Sequence, residues 1–319
     1  MQTKPPIFDP RELLRRYSVM LILLALCVAL ALLSKSFLTA SNLLNVALQT
    51  SIVAIVAIGM TFTILTGGID LSVGSVVALS GALAAGWIVR NGLNTYLAVG
   101  LALIVGCALG TISGLLVVKG NIPPFVATLS VMAIGRGLTL VYTQGKPIAG
   151  MGQDFVFWGT GKVGPVPVPV LILILALAAA YMVLTRTRFG LYVYAIGGNE
   201  ETARLAGIKT EWIKIAVYVI SGFTAALTGV LLTARLWSAQ PTAGVGMELD
   251  AIAAPVLGGT SLFGGVGSVG GTLVGAFIMG VLSNGLNLLE ISAYYQRVIK
   301  GVVFILAVML DLYTKRRRR

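Results

Sequence analysis

Residues 186–212 read R-T-R-F-G-L-Y-V-Y-A-I-G-G-N-E-E-T-A-R-L-A-G-I-K-T-E-W. This is the longest polar, charge-bearing interval in an otherwise apolar chain. Long apolar runs flank it, Val168–Thr185 before and Ile213–Leu236 after. Its middle predicts a short, separate helix. Gly197-Gly198 break the preceding segment, and Asn199 stands where an N-cap is wanted, since its side chain can accept from a free N–H of the first turn. Glu200 and Glu201 fall in that first turn, where carboxylates meet the positive end of the helix dipole. Gly207 sits where a C′ glycine belongs. About two turns of surface helix between two membrane spans suggest a part gripped by something in the cytoplasm. A solvated loop with ordinary capping explains the same residues.

Working outward, composition sets the class. The chain has 319 residues, 57% of them hydrophobic and 11% charged, with a mean hydropathy of +0.95. A soluble domain carries roughly 25% charged residues, so this chain cannot cover a water-facing surface, and its solvent is mostly lipid. The net charge of +12 invites a nucleic-acid reading. Its distribution argues against one: Lys4, Arg11, Arg15 and Arg16 precede the first apolar run and Lys315 to Arg319 follow the last, which is a topology signal. There is no histidine, so the commonest metal ligand and general base are missing. Cys27 and Cys107 lie in separate apolar runs and read as small buried hydrophobes. Gly145-Lys146-Pro147 and Gly161-Lys162-Val163 lack the hydroxyl and spacing of a phosphate loop. No catalytic residue, metal site or bound cofactor is expected, and the chain is not read as an enzyme.

Taken in order, residues 1–16 form a basic cytoplasmic lead-in, residues 17–312 a single transmembrane domain, and residues 313–319 a basic cytoplasmic tail. Tyr17–Leu33 lacks a small-x-small cleavage site and reads as a retained span. Further runs are Leu43–Thr66, Val73–Val89, Thr95–Val118, Phe125–Tyr142, Val168–Thr185, Ile213–Leu236, Thr272–Leu289 and Tyr294–Leu310. Phe125–Tyr142 is predicted to break at Gly135-Arg136-Gly137, and Arg136 must face protein or water. Met247–Leu262 holds Glu248, Asp250 and Pro255 and reads as an interrupted or incomplete span. Residues 143–167 read as an external loop. The expectation is an all-α polytopic membrane protein of about ten crossings. With both termini inside, internal segments carry fourteen Lys or Arg against four outside, which favours that topology.

Several polar residues within this oil have two readings each. Asp70, in Gly67-Gly68-Ile69-Asp70-Leu71-Ser72, is either a polar gate or anchor, or a cap for the span beginning at Val73; Ser72 serves equally for the cap. Glu248 and Asp250 lie two apart, and either face an external partner or cap a helix start. Gly106/Gly110/Gly114 and Gly271/Gly275 supply small-xxx-small faces for close helix packing. Two glycine-rich turns, beside Asp70 and at Gly258-Gly259-Thr260-Ser261, suggest internal duplication.

The runs Gly67 to Ser75, Ala195 to Ile208, Ser238 to Gly244, Glu248 to Ala254 and Val256 to Leu262 together resemble the permease subunits of bacterial ribose-type sugar ABC importers, the inner-membrane components of binding-protein-dependent transport systems. The likeness runs from about residue 36 to 312, and residues 1–35 and 150–167 fit least. The resemblance implies one half of a membrane homodimer in the bacterial inner membrane. Two cytoplasmic ATPase domains on separate chains would bind ATP and Mg, and an external, periplasmic binding protein would deliver the sugar.

In that family the segment matching Asn199–Gly207 is the coupling helix seated in the ATPase, which assigns Asn199, Glu200, Glu201, Ala203, Arg204, Leu205 and Gly207 to ATPase coupling. ATP-driven closure of the ATPase pair would push this helix and rock the spans between outward- and inward-open states. Pathway or gate candidates are Asn45, Gln49, Thr50, Asp70, Phe125 and Trp237; Ser51 belongs with the polar group on the second span, and interhelical hydrogen bonding is the competing reading for these side chains. Glu248 and Asp250 are the binding-protein docking candidates. The rival function is a secondary sugar transporter driven by an ion gradient, which would need a titratable cluster near mid-bilayer.

Overall fold

The computed structural model describes residues 10–316, with side chains from 19 to 309. The lead-in before Pro10 and the tail residues Arg317 to Arg319 lie outside it, as do the side chains of the other terminal basic residues. In chain order the elements are α1 (Pro10–Leu33), α2 (Ala40–Leu65), α3 (Val73–Asn91), α4 (Thr95–Val118), α5 (Pro124–Thr143), β1 (Ile148–Ala149), α6 (Gln153–Thr160), β2 (Lys162–Val163), β3 (Val166–Pro167), α7 (Val168–Arg186), α8 (Arg188–Gly198), α9 (Glu200–Leu205), α10 (Thr210–Leu236), β4 (Ser238–Ala239), α11 (Met247–Leu257), α12 (Val269–Leu288) and α13 (Ala293–Arg316). The strands are two-residue antiparallel clasps, β1 with β4 and β2 with β3.

Seven helices among the described residues are long and apolar enough to cross a membrane: α2, α3, α4, α5, α7, α10 and α12. That is fewer than the ten crossings read from hydropathy. The apolar part of α1, Val19–Leu33, is shorter, and the 11 residues of α11 span only about 16 Å, roughly half a hydrocarbon core. The predicted interruption at Gly135-Arg136-Gly137 is absent: α5 runs through it unbroken. Gly135 fits there because it packs on Ser75 of α3, and Arg136 finds protein carbonyls. Residues 143–167 are not without structure: they carry α6, the whole β2–β3 clasp and β1, whose partner β4 lies at Ser238–Ala239.

The bundle is organised on α10. Its residues Val217, Tyr218, Ala225, Ala226, Val230 and Leu231 are all buried. Against α4 the packing is backbone to backbone. A β-carbon on Gly222 would run into the Gly106 carbonyl, and Gly110 and Gly114 meet Tyr218 and Ile215 in the same way. The register shows α4 antiparallel to α10, and it gives the Gly106/Gly110/Gly114 stripe its purpose: small residues let two helices approach closely enough for dispersion contact. Antiparallel α2 packs Gly59 on Ser221 and Thr224. Parallel α3 sets Val77 by Gly229 and Gly81 by Thr233. α5 follows α3, with Tyr142 by Gly86.

α12 closes the other side. Gly271 and Gly275 meet Gly258 and Ala254 of the α11 turn, so α11 and α12 are antiparallel. Against α2, Thr61 and Thr272 share a 2.7 Å hydroxyl bond. Asn42 and Asn284 exchange reciprocal amide bonds of 3.0 and 2.8 Å. Cys27 and Cys107 are free and half-buried.

Candidate functional site

Three features stand out from the packed helices: a capped surface helix at one end, a buried polar break, and an irregular segment held by an arginine.

The surface helix is α9. Asn199 is its N-cap, with φ −160° and ψ 107°, and its Oδ1 accepts from the Thr202 N–H at 2.8 Å. Gly197 and Gly198, expected to break the preceding segment, are instead the last residues of α8; the break falls at extended Asn199. At the other end Gly207 has φ +85°, its N–H reaches the Arg204 carbonyl at 3.0 Å, and the Ile208 N–H reaches the Ala203 carbonyl at 3.1 Å. This double closure satisfies carbonyls that would otherwise be orphaned. Lys214 Nζ of α10 donates to Glu200 at 3.0 Å and Arg204 lies 3.7 Å from it. Ala203 is buried, whereas Leu205 is 84% exposed and Trp212 65%. The helix is anchored on one side and offers an apolar tip on the other.

What it is anchored to matters. A β-carbon on Gly197 would collide with the Leu65 carbonyl at the end of α2, and that carbonyl accepts from the Gly265 N–H at 2.9 Å. The Tyr194 hydroxyl donates to the Gly267 carbonyl at 2.9 Å, and burial raises its pKa, so it stays a donor. Thus α8, the end of α2 and the turn after α11 form one clasp.

The polar break joins α2 to α3. Asp70 is fully buried. Its Oδ1 accepts from the Ser72 N–H at 3.0 Å and the Ser72 hydroxyl at 2.6 Å; its Oδ2 accepts from the Ser221 hydroxyl at 2.7 Å. Ser72 holds the N-cap position of α3 but makes no side-chain cap bond: its backbone is helical (φ −73°, ψ −16°), not extended as a cap requires, and its hydroxyl donates to Asp70 instead. The Tyr218 hydroxyl, buried beside Gly68, has no hydrogen-bond partner among the described residues. Ser221 lies eleven residues into α10, about 16 Å from its start, so the break sits deep in the bundle.

The irregular segment is 237–246. It leaves α10 at Trp237 (φ +55°), pairs through β4 with β1, then turns back until Gly244 touches Gly74 near the start of α3. Arg136 holds it: Nη1 donates to the Pro241 and Ala243 carbonyls at 3.0 and 2.8 Å, and Nη2 to the Gly74 carbonyl at 3.4 Å. Glu248 accepts from the Gly246 N–H at 3.2 Å with its second oxygen against Gly74.

The structure disperses the other candidates. Asn45 is exposed and Gln49 half-buried on α2; Thr50 is buried against Gly280 with no bond to its hydroxyl among the described residues. Ser51 bonds its own helix at Leu48. Phe125 and Trp237 are both about half exposed, at 56% and 51%, but lie at opposite ends of the bundle because α5, α3 and α10 run parallel. Asp250 pairs with Lys300 of α13 at 2.8 Å, and both are largely buried, so it is engaged within the chain. Lys300 was legible as a cation inside an apolar run, a residue type that calls for a partner. Ser221 and Asn284 offered no such signal. Among the described residues no cluster of three or more His, Cys, Asp or Glu could hold a metal ion.

Residues 42–308 match a family model described as the permease component of branched-chain amino acid transport systems. The ribose import permease protein RbsC of Escherichia coli (strain K12) is 51% identical over 296 residues, covering 92% of each chain. The D-allose transport system permease protein AlsC of the same organism is 40% identical over 292 residues, 91% of this chain and 89% of the relative. The L-arabinose ABC transporter permease protein AraH of Azospirillum brasilense is 34% identical over 308 residues, 97% and 91%. No solved structure matches the chain.

Proposed function

The chain belongs to the family of branched-chain amino acid transport system permease components, and from that membership we propose that it forms the membrane passage of an ATP-binding cassette importer for ribose or a related monosaccharide. The carrying observation is 51% identity to a ribose import permease across 92% of both chains, against 40% and 34% to the allose and arabinose permeases. It is a multi-pass inner-membrane transport subunit with no catalytic role. ATP hydrolysis, with its Mg, falls to a separate ATPase subunit, and an external sugar-binding protein supplies the solute. A homodimer of this chain encloses the path.

In this reading α1, α11 with its turn, and α13 complete ten crossings, and the end carrying α9 is cytoplasmic. α9 is the coupling helix. Asn199, Glu200, Glu201, Ala203, Arg204 and Gly207 keep it rigid, and Leu205 enters the ATPase. The clasp of Gly197, Leu65 and Gly265 supports this, because a push on α8 and α9 reaches α2 without passing through a flexible loop. Asp70, tied to Ser72 and Ser221, stands at the next joint along α2 and acts as the gate element.

The test is uptake of labelled ribose into proteoliposomes holding the permease, its ATPase and its binding protein. Accumulation should require internal ATP and both partners, and should survive an uncoupler. Accumulation that persists without ATP and collapses with the uncoupler overturns the reading in favour of an ion-driven carrier.

A further inference from the structure

We propose that the segment Trp237–Gly246 is a solute-recognition element, binding a neutral polyhydroxylated sugar through Gln240 and Thr242 with the indole of Trp237 at its outer mouth; this rests on the sugar-import reading above. The segment starts at the end of α10 remote from α9 and returns to Gly74, alongside the middle of the bundle. Irregular backbone at such depth is stable only where protein covers it or where it borders water. One side of the segment is covered. Pro241 is buried, its carbonyl and that of Ala243 are taken by Arg136, and Gly244 lies on Gly74.

The other side is open. Thr242 and Val245 are exposed, and Trp237 is 51% exposed. Among the described residues the Thr242 hydroxyl and N–H and the Gln240 side-chain oxygen carry no hydrogen bond, while Gln240 Nε2 donates to Ser238 Oγ at 3.1 Å. This is an uncharged row of donors and acceptors, flanked by an aromatic face. A sugar presents the matching chemistry: hydroxyls that need paired donors and acceptors, no charge to neutralise, and a C–H face that lies on an indole. The left-handed φ of +55° at Trp237 is an outlier for a bulky residue, of the kind that collects at ligand clamps. Arg136 is a positioning residue. It touches no solute but fixes the carbonyls that aim the row outward.

The experiment uses the whole importer in proteoliposomes, with Cys27 and Cys107 replaced by alanine. Thr242→Cys should react with a membrane-impermeant methanethiosulfonate, and saturating ribose with its binding protein should slow that reaction several-fold. Separately, Gln240→Leu with Thr242→Val should lower uptake about tenfold or more at matched protein levels, the scale expected when hydrogen bonds to a solute are removed. Should Thr242→Cys not reach the membrane, Val245→Cys is read in the same way. Labelling by lipid-soluble maleimide alone, or labelling without protection, overturns the assignment, and so does wild-type uptake by the double variant. Absence of sugar uptake by the unmutated importer would instead remove the import reading itself.

Discussion

The Asp70 carboxylate, completely buried between α2 and α3, accepts a 2.7 Å hydrogen bond from the hydroxyl of Ser221, 151 residues along the chain on α10. With the two bonds from Ser72, it meets three donors and no cationic side chain among them. A carboxyl group held this way ties three helices at one point.

Ser221→Ala should therefore cost about 1–3 kcal/mol, the penalty for leaving a buried polar group short of a partner, read as a lower melting temperature of the purified complex. In an Asp70→Asn background the same change should cost clearly less, since the two residues act through one bond. Equal costs in both backgrounds would mean that the pair is not coupled.

The contact between α4 and α10 predicts a sharp contrast between two glycines, one on each helix. Gly222→Leu has no room beside Gly106 and should lose at least about 1–3 kcal/mol by overpacking, seen as failure to accumulate in membranes. Gly100→Ala in α4, where a β-carbon would meet nothing within 4 Å, should be neutral or stabilising. Membrane yield and melting temperature of the two variants check this.

Asn199→Ala removes the cap of α9 and should cost about 1 kcal/mol of local helix stability. If α9 couples the subunits, sugar uptake should fall several-fold at unchanged permease levels, and Asn199→Asp should restore it. Uptake by Asn199→Ala equal to wild type would separate the cap from coupling.

Lys300 and Asp250 form a largely buried pair at 2.8 Å between α13 and α11. Lys300→Met alone should cost about 3–5 kcal/mol, because it strands a carboxylate. Adding Asp250→Asn should recover most of that loss, and thermal unfolding of the single and double variants decides it.

Much of this could be read along the chain. The Asn199 cap, the acidic first turn and Gly207 are all local, and each appears where the residues placed it. The glycine stripe at Gly106, Gly110 and Gly114 announced a close neighbour without naming it. Where the reading failed, a local rule met a distant contact. Gly135-Arg136-Gly137 looked like a break, but Ser75, Pro241 and Ala243 give those residues a place inside a continuous helix. For Glu248 and Asp250 two readings stood open, an external partner or a helix start; Glu248 accepts from Gly246 at the start of α11, and the Lys300 partner of Asp250 lies fifty residues away, beyond any local rule. Nor does the sequence record that Phe125 and Trp237 lie at opposite ends of the bundle, which the parallel run of α3, α5 and α10 decides.

By itself the sequence determined the lipid environment, the helical architecture and the capped surface helix, because burial preference and capping depend on residue type and on neighbours within a turn. Only the tertiary structure decided that Asp70 meets Ser221, that Arg136 holds the 237–246 segment and that Gly197 locks onto Leu65. In an apolar solvent nearly every polar group must find a partner, and hydropathy does not record which one. That choice is made when helices pack, by the few positions where two backbones come close enough to share it.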